Sequence, residues 1–411
     1  MNKINILSAL AASMISFMSC AKEDAHNTMA TQPDSTLASV ETKTPNSDYK
    51  PAFVGQTRIA GVKTKTPYDY KVITEKLTFP WGITSLPDGR FLINEREGNM
   101  RIVNANGDVG APIAGILSVN SSGQGGLLGI TLDPDFQQNR MVYWVFSENV
   151  SGGTLTSVAK GKLSADESKI EGATVIYRAT PAHRGNLHYG GRILFDRNGN
   201  IVVSTGERSD IVTRPQAQQL NSSLGKIIRI TKDGKAVKGN PFENQAAAKP
   251  ELYSYGHRNV QGLAFHPVSG DLWSNEFGPR GGDELNRPQA GKNYGWPTIT
   301  YGIEYSGKKI GDVIQQKEGM EQPVYYWDPS VSPSGMTFYN GTQIPEWKNN
   351  LFIGALSGMH IVRLIIENNK VVGEERLLTS EMQRFRDVTQ GKDGALYAIT
   401  DQGRLYKIGK K

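Results

Sequence analysis

Short apolar runs separated by turns recur from about residue 70 to the end of this 411-residue chain. In each copy an apolar run leads into a turn that combines Asp or Asn with Gly, and a second apolar run follows. Such paired runs are typical of antiparallel β-hairpins. The six copies begin at Trp81, Leu127, Gly191, Gln261, Ser334 and Arg386. Since no long helical periodicity competes with this pattern, it predicts an all-β chain.

The spacing of the copies predicts their arrangement. Their starts lie about 45 to 75 residues apart, which fits a blade of four strands with its loops. We therefore predict a six-bladed β-propeller of four-stranded antiparallel blades over residues 61–411, because a closed ring leaves only short strand edges. The segment 71–77 is expected to seal the ring by pairing with residues 405–408. Ligands of propellers lie at the axis, where loops from all blades meet.

The N-terminus has the pattern of an export signal. An apolar stretch over about residues 4–18 follows a positive start and ends in small residues. Cys20, the single cysteine, comes directly after it, and "FMSC" resembles a lipobox except for Phe17. We expect residues 1–20 to be a signal peptide with a lipobox, and the protein to be exported as a periplasmic or outer-membrane lipoprotein anchored through Cys20. A plain signal peptide is the alternative.

Residues 21–60, rich in Thr, Ser, Asn and Pro, are expected to be a disordered tether.

The charge balance narrows the class of ligand. The chain has 46 basic and 40 acidic residues, which gives a net charge of +6 at pH 7. Because no run of Lys or Arg accompanies this excess, we expect no nucleic-acid partner. A modest positive field favours an acidic ligand or an anionic surface instead.

Polar residues in the loops that open the copies are candidates for a site. Gln124 lies in the glycine-rich "SSGQGG", where small neighbours let the backbone approach a flat ligand. His188 stands in "GNLHYGGR", and a histidine is the usual side chain to take a proton from a hydroxyl near neutral pH. A flexible turn around Gln124, and a histidine bonded to backbone at residue 188, are the structural alternatives.

Two further loops carry cationic or oxygen-rich groups. In "GHRN", Arg258 with the adjacent amide of Asn259 could bind carboxylates or quinone oxygens, or only support a turn. The loop "NEFGPRGGDELN" contains Gly278 and Pro279, which suit exposed carbonyls, and Glu284. Carbonyls mixed with carboxylates suit calcium, and a solvated acidic turn is the alternative.

Arg384 and Arg386 open the last copy in "QRFRDV". On a strand they point to the same face. Two guanidiniums aimed at one place repel each other unless an anion lies between them, so the pair favours a ligand with several acidic groups. The alternative is a pair of surface arginines that are each matched to an Asp or Glu.

Several motifs occur together in one order along the chain: "GQGGLLGITLDPDF", "HYGGR", "GHRNVQGLAFHP", "EFGPRGGDELN", "GKNYGWP" and "FRDV". As a set they resemble the soluble quinoprotein sugar dehydrogenases of the glucose/sorbosone dehydrogenase type, and most closely the aldose sugar dehydrogenase branch. The resemblance implies a six-bladed propeller that uses pyrroloquinoline quinone (PQQ) and calcium to oxidise aldose sugars at the anomeric carbon to lactones. The implied partners are an aldose substrate and an external electron acceptor, and the oligomeric state, monomer or dimer, stays open.

The resemblance also implies residue roles. His188 would be the general base that takes the proton of the anomeric hydroxyl as hydride passes to the quinone, and Arg258 would stabilise the charge that builds there. The residues implied to contact the cofactor are Gln124, His188, Arg258, Asn259, Tyr305, Arg384 and Arg386. The residues implied to bind calcium are Gly278 and Pro279 through their carbonyls, and Glu284 with Tyr294 at a further calcium.

Two positions depart from the glucose dehydrogenases in this resemblance. Ser357 stands where they have a lysine near the cofactor, and Asp328 where a tryptophan of the glucose pocket is expected, so a broader range of aldoses is predicted. Two other functions remain as alternatives. A metal-dependent propeller lactonase or hydrolase would need a cage of carboxylates and amides at the axis. A non-catalytic binding propeller would be expected to have lost His188 or Arg258.

Overall fold

The computed structural model describes residues 37–411, whose strands form six antiparallel sheets arranged as the blades of a propeller. We number the blades in chain order. Blade 1 consists of β2 (Pro80–Ser85), β3 (Phe91–Glu95) and β4 (Asn99–Val103). Blade 2 consists of β5 (Leu127–Leu132), β6 (Met141–Val150), β7 (Gly153–Leu163) and β8 (Ile170–Arg178). Blade 3 consists of β9 (Gly190–Phe195), β10 (Ile201–Thr205), β11 (Lys226–Ile230) and β12 (Leu252–Tyr255).

The second half of the ring repeats this order. Blade 4 consists of β13 (Val260–Phe265), β14 (Leu272–Glu276), β15 (Asp283–Asn286) and β16 (Tyr325–Trp327). Blade 5 consists of β17 (Pro333–Phe338), β18 (Leu351–Ala355), β19 (His360–Glu367) and β20 (Lys370–Leu377). Blade 6 consists of β21 (Phe385–Gln390), β22 (Leu396–Thr400), β23 (Leu405–Lys410) and β1 (Tyr68–Thr74). The described helices are short: α1 (Phe136–Asn139) and the 3-10 helices Arg214–Gln218, Pro345–Trp347 and Thr379–Glu381.

All six predicted copies begin in the innermost strand of a blade, which confirms the propeller. The first strands β2, β5, β9, β13, β17 and β21 contact one another in sequence, and β21 meets β2 to close the ring. The predicted seal is also present, because β1 pairs antiparallel with β23, with Lys71 opposite Lys407 and Val72 opposite Tyr406. The blade that closes the ring therefore combines both ends of the propeller sequence.

Blade 1 departs from the predicted four strands. It has three, and only a single bridge between Val103 and Val109 stands in for the fourth. The chain beyond β4 still follows the strand edge, since the amides of Gly110 and Ile113 donate to Ile102 and Met100. Regular pairing cannot continue through this segment, because Pro112 has no amide hydrogen to donate.

The hydrophobic core is divided among the interfaces between blades. Five of the six large clusters of buried side chains join two neighbouring blades, and the sixth, which contains Trp81, joins blades 1, 2 and 3. Burial of apolar surface is the main favourable term in folding. Because that surface lies between blades, the inner ends of the sheets are left to polar groups around the axis.

The residues before the propeller differ from the prediction. Residues 37–60 belong to the predicted tether over 21–60, yet they lie in contact with blades 4 and 5. Together with residues 61–66 we call them the N-terminal strap. Glu41 pairs with Arg376 at 2.8 Å, and the Thr64 hydroxyl donates to Glu375 at 2.7 Å. A composition poor in apolar residues predicts disorder only if polar groups stay solvated, and here charged side chains of the blades bind them.

The predicted signal peptide, the lipobox cysteine Cys20 and the first part of the tether lie outside the described residues. Within residues 37–411, no helix has the length and apolarity needed to cross a bilayer.

Candidate active site

A cavity opens at one end of the axis, which we call the mouth. First strands start there and second strands return to it. Its enclosed volume is about 230 Å³. It is lined by Phe79, Trp81, Arg96, Gln124, Tyr189, Gly190, Gln261, Phe277, Leu356, Arg384, Arg386 and Asp401. Three residues predicted to contact a cofactor, Gln124, Arg384 and Arg386, are therefore part of the lining.

His188 lies directly behind this lining and is held in one orientation. Its backbone amide donates to the side-chain oxygen of Gln124 at 2.9 Å, and its ring Nδ1 lies 2.7 Å from a carboxylate oxygen of Glu207. Since a carboxylate only accepts, Nδ1 carries the proton. The ring therefore keeps Nε2, which has no hydrogen bond to the described chain, as a proton acceptor. The backbone at His188 is left-handed, with φ of 45°, a conformation that is concentrated at functional sites in residues other than glycine.

The environment of His188 disfavours its charged form. The side chain is 6% exposed and that of Glu207 is 1% exposed. Burial, followed by the positive charge of Arg258, lowers the pKa of His188 to about 4, against the opposing effect of Glu207. The imidazole is therefore neutral at pH 7, the form that a general base requires.

Gly190 allows the chain beside His188 to pack closely against β10. Its φ is +65°, and a Cβ there would lie 2.7 Å from the backbone of Thr205. Its amide donates to Asn259 at 3.0 Å. A side chain at this position would push the loop that carries His188 away from β10, so the glycine is required by the neighbouring strand.

Arg384 and Arg386 have neither of the two environments predicted for them, an acidic ligand between them or a separate carboxylate for each. Arg384 and Arg386 share one carboxylate, Asp401, at 2.9 and 2.8 Å. Arg96 adds a third guanidinium to the lining, and burial with the charge of Arg386 lowers its pKa. Three cations less one anion leave a net charge of +2 on the lining. The cavity is therefore suited to an anionic ligand.

Arg258 and Asn259 lie one layer below the lining. Arg258 donates to the carbonyls of Phe277 and Gly278 at 3.0 and 2.6 Å, while its Nε is buried without a partner in the described chain. Asn259 accepts from the amide of Gly190, and its own NH₂ group is likewise buried and unpaired within residues 37–411. Buried donors of this kind are rare in native proteins and mark places where a ligand can bind.

The loop over residues 278–282 is held from within by Asp283. One carboxylate oxygen of Asp283 accepts the amide of Gly278, and the other accepts the amides of Val331 and Ser332. Burial raises the pKa of Asp283 to about 6, against these hydrogen bonds. The carbonyl of Pro279 lies 3.4 Å from the hydroxyl of Ser330. The two predicted calcium carbonyls thus belong to a fixed loop next to Arg258.

Glu284 and Tyr294 have separate surroundings. Glu284 lies on β15 opposite Glu276 of β14, and burial with the charge of Glu276 raises its pKa well above the ordinary value. The hydroxyl of Tyr294 donates to the carbonyl of Arg287, and its ring stacks on His257. In the described part of the chain, no group of three His, Cys, Asp or Glu side chains is arranged to hold a metal.

Three other predicted positions lie away from the lining. Tyr305 is 73% exposed and does not line the cavity. Ser357 is exposed, and its hydroxyl is hydrogen-bonded to that of Ser332 at 2.8 Å. Asp328 accepts hydrogen bonds from the N-terminal strap.

Sequence reasoning missed several residues that come directly after second strands. Arg96 follows β3, Phe277 follows β14, Leu356 follows β18 and Asp401 follows β22, and all four line the cavity. Glu207 comes two residues after β10. A signal for them exists in the sequence: an antiparallel second strand must return to the mouth, so the residue that follows it faces the axis.

The fold and this site define a class of protein, a six-bladed propeller whose axial cavity is lined by cations and backed by a buried histidine–carboxylate pair. The sequence profile described as Glucose / Sorbosone dehydrogenase matches residues 77–407. The chain belongs to this family of sugar dehydrogenases and is an oxidoreductase.

Similar proteins agree with this family. Aldose sugar dehydrogenase YliI of Escherichia coli (strain K12) is 43% identical over 349 residues, which are 83% of this chain and 92% of that protein. The apo-form crystal structure of the soluble aldose sugar dehydrogenase of Escherichia coli has a TM-score of 0.80 at 42% identity, covering 84% of this chain and 100% of that chain. The PQQ-bound aldose sugar dehydrogenase of Streptomyces coelicolor has a TM-score of 0.70 at 28% identity, with coverages of 84% and 99%. The family and fold inferred from the motifs are confirmed.

Proposed function

We propose that this protein oxidises aldose sugars at the anomeric carbon to lactones, with PQQ as the cofactor and calcium as the metal. The observation that carries the proposal is the buried His188–Glu207 pair beside a cavity lined by three arginines. A dehydrogenase needs a base for the hydroxyl proton and a site for the electron acceptor, and the His188–Glu207 pair and the neighbouring cavity would supply these two parts.

The residues present fit PQQ. It is flat and carries three carboxylates, and the lining offers Arg96, Arg384 and Arg386 against the single carboxylate of Asp401. Gln124 and the unpaired donors of Arg258 and Asn259 add groups that could bind oxygens of the cofactor. When bound, PQQ supplies the two-electron acceptor for the hydride that leaves the sugar carbon.

The chain itself handles the proton. Nε2 of His188 accepts the proton of the anomeric hydroxyl, while Nδ1–H remains donated to Glu207. The imidazolium that forms is stabilised by that carboxylate, which opposes the effects of burial and of Arg258 on the pKa. Arg258 is itself nearly buried and adds a fixed positive charge next to the reacting groups, where low polarisability of the surroundings strengthens its effect.

Calcium would be bound by the carbonyls of Gly278 and Pro279, with a further ion at the buried Glu284. A carbonyl oxygen has two lone pairs, so Gly278 can serve Arg258 and a cation together. The buried Glu284 next to Glu276 supports the second ion, because a cation would offset the repulsion between the two carboxylates.

The protein would act outside the cytoplasm. The apolar stretch over residues 4–18 and the single Cys20 support export and a lipid anchor. Labelling of the expressed protein with a fatty acid, in the native chain and in Cys20→Ala, tests this part. Equal labelling of both would contradict the anchor.

Reconstitution tests the activity. The chelator-treated protein is mixed with PQQ and calcium, and both bound-quinone absorbance and dye reduction are measured with a panel of aldoses. We expect quinone to bind and dye reduction to require calcium. If no quinone binds and no aldose is oxidised, the proposal is wrong, and lactone hydrolysis in the same preparation would favour the hydrolase instead.

A further inference from the structure

The N-terminal strap lies outside the part of the chain that the family profile matches, since that match begins at residue 77. Its contacts to the propeller therefore lie outside the matched range. One of them reaches the loop over residues 278–282, which carries the two proposed calcium carbonyls.

Ser47 is the residue of the strap that makes this connection. Its hydroxyl lies 2.9 Å from a carboxylate oxygen of Asp328 and 3.1 Å from the carbonyl of Tyr301. The amides of Asn46 and Ser47 donate to the same carboxylate at 2.7 and 3.0 Å. Arg58, also in the strap, donates to the carbonyl of Asp328 at 2.7 Å. Asp328 is thus bound by four donors that all belong to the strap.

Two segments border the 278–282 loop, and we call them its walls; one carries Tyr301 and the other carries Asp328. The amide of Arg280 donates to Ile303, and a Cβ on Gly282 would lie 2.7 Å from the Tyr301 carbonyl carbon. The amide of Gly282 donates to Trp327, the residue before Asp328.

Gly281 brings the loop into direct contact with the carboxylate that the strap binds. A Cβ added at Gly281 would lie 2.6 Å from Asp328 Oδ1, so the loop backbone packs directly on it. The amide of Gly281 donates to the hydroxyl of Ser330, which in turn lies against the carbonyl of Pro279. Movement of Asp328 would therefore displace the loop, including the carbonyls proposed to bind calcium.

We propose that Ser47 and Asp328 are positioning residues for the calcium loop: the strap joins the two walls that enclose residues 278–282 and so holds the carbonyls of Gly278 and Pro279 in place. The inference rests on the proposed function for its calcium ligand. The strap thereby makes metal retention depend on a segment that lies between the export signal and the propeller.

The strap offers its own control. Thr66 is half-buried, as Ser47 is, and its hydroxyl donates to Glu346 of blade 5 at 2.7 Å. Glu346 precedes β18 and makes none of the contacts to the 278–282 loop described above. Thr66→Val removes a strap hydroxyl of comparable exposure without touching a wall of the loop.

Hydrogen exchange tests the positioning without any ligand. Amide exchange over residues 278–283 is measured by mass spectrometry in the cofactor-free native protein, Ser47→Ala, Asp328→Asn and Thr66→Val. We expect exchange of this peptide to be faster by about three- to tenfold in Ser47→Ala, the scale of one lost hydrogen bond, and to be more affected in Asp328→Asn. Exchange unchanged in both variants, or raised equally in Thr66→Val, overturns the inference.

A calcium titration tests the consequence. Calorimetry of calcium into the chelator-treated proteins should show binding that is about three- to tenfold weaker in Ser47→Ala than in Thr66→Val. If the native protein binds no calcium, the proposed calcium site fails, while the exchange result still decides whether the strap positions the loop. If the native protein and Ser47→Ala bind calcium equally, the strap inference fails and the proposed function stands.

Discussion

The two sides of the cavity differ in how their charged side chains are buried and paired. On the side of blade 3, His188 and Glu207 are almost fully buried, and groups around them lack protein partners within residues 37–411. On the side of blade 6, Arg384 is 40% exposed and both arginines are paired with Asp401. The first side is desolvated, whereas the second is partly exposed and its charges are compensated.

Under the proposed function, this difference would separate proton transfer from ligand binding. A base works best when its partners are fixed and its pKa is set by burial. An anion site in a protein that must exist without its anion needs a partner of its own, and Asp401 provides that neutralisation. A bound anion would compete with Asp401 for the guanidiniums, so the carboxylate limits affinity while it stabilises the empty cavity.

Loss of the base should have the largest effect. His188→Ala is expected to lower kcat at least about 100-fold, the usual contribution of a general base, while quinone absorbance shows that the cofactor still binds. His183→Ala is the matched control, because that half-buried histidine pairs with Asp210 at 3.2 Å and does not line the cavity. If His188→Ala had the turnover of the native protein, His188 would not be the general base.

Loss of the orienting carboxylate should have the next largest effect. In Glu207→Gln the ring keeps a hydrogen-bond acceptor but loses the charge, so kcat should fall about ten- to a hundredfold, the scale of a charged hydrogen bond. Because Glu207 raises the pKa of His188, the variant should have an acidic limb of its pH–rate profile below that of the native protein. An acidic limb that moves upward would mean that another group is the base.

The fold could be predicted from the sequence because the first two strands of every blade are buried, and the same apolar pattern therefore recurs in each copy. The prediction failed where polar pairing or a single proline decided the outcome, as in the strap bound through Glu41 and in blade 1 beyond β4. Both depend on partners that are distant along the chain or on one missing amide, and neither changes the apolar pattern.

The site was predicted unevenly for a related reason. His188 and the arginine pair stand in unusual local sequences and could be picked out. Glu207 and Asp401 follow ordinary second strands, so their importance appears only when the direction of each strand is considered. Tyr305 is the reverse case, because the family resemblance implies a place at the cofactor site and the structure has its side chain exposed on the surface.

The compensated side should show a smaller and different effect. Arg386→Ala removes a guanidinium that makes two hydrogen bonds to Asp401, and it should weaken quinone binding about tenfold, consistent with one charge-assisted hydrogen bond. Turnover at saturating quinone should be unchanged. Arg404→Ala is the control, because Arg404 is bound to Glu75 and does not line the cavity. A loss of kcat with native quinone affinity would place Arg386 with the proton-transfer groups instead.

The smallest expected effect tests whether a lowered histidine pKa is by itself a sign of function. His360 of blade 5 does not line the cavity, and burial with the charge of Arg376 lowers its pKa to about 4, as for His188. Each histidine binds a proton in the unfolded chain below about pH 6.5 but not in the folded protein until about pH 4, so the free energy of unfolding falls as the pH falls through this window. Between pH 6.5 and 5.5 each should account for about 1 kcal/mol of that loss.

Denaturant unfolding at the two pH values measures this contribution. His360→Asn and His188→Asn should each reduce the pH-dependent loss by the same amount, whereas only His188→Asn should lose turnover. Low turnover in a folded His360→Asn would contradict the comparison, because burial alone would then mark a functional histidine. Equal stability effects with unequal activity would show that the pKa follows from burial, and that the function of His188 follows from its place beside Glu207 at the cavity.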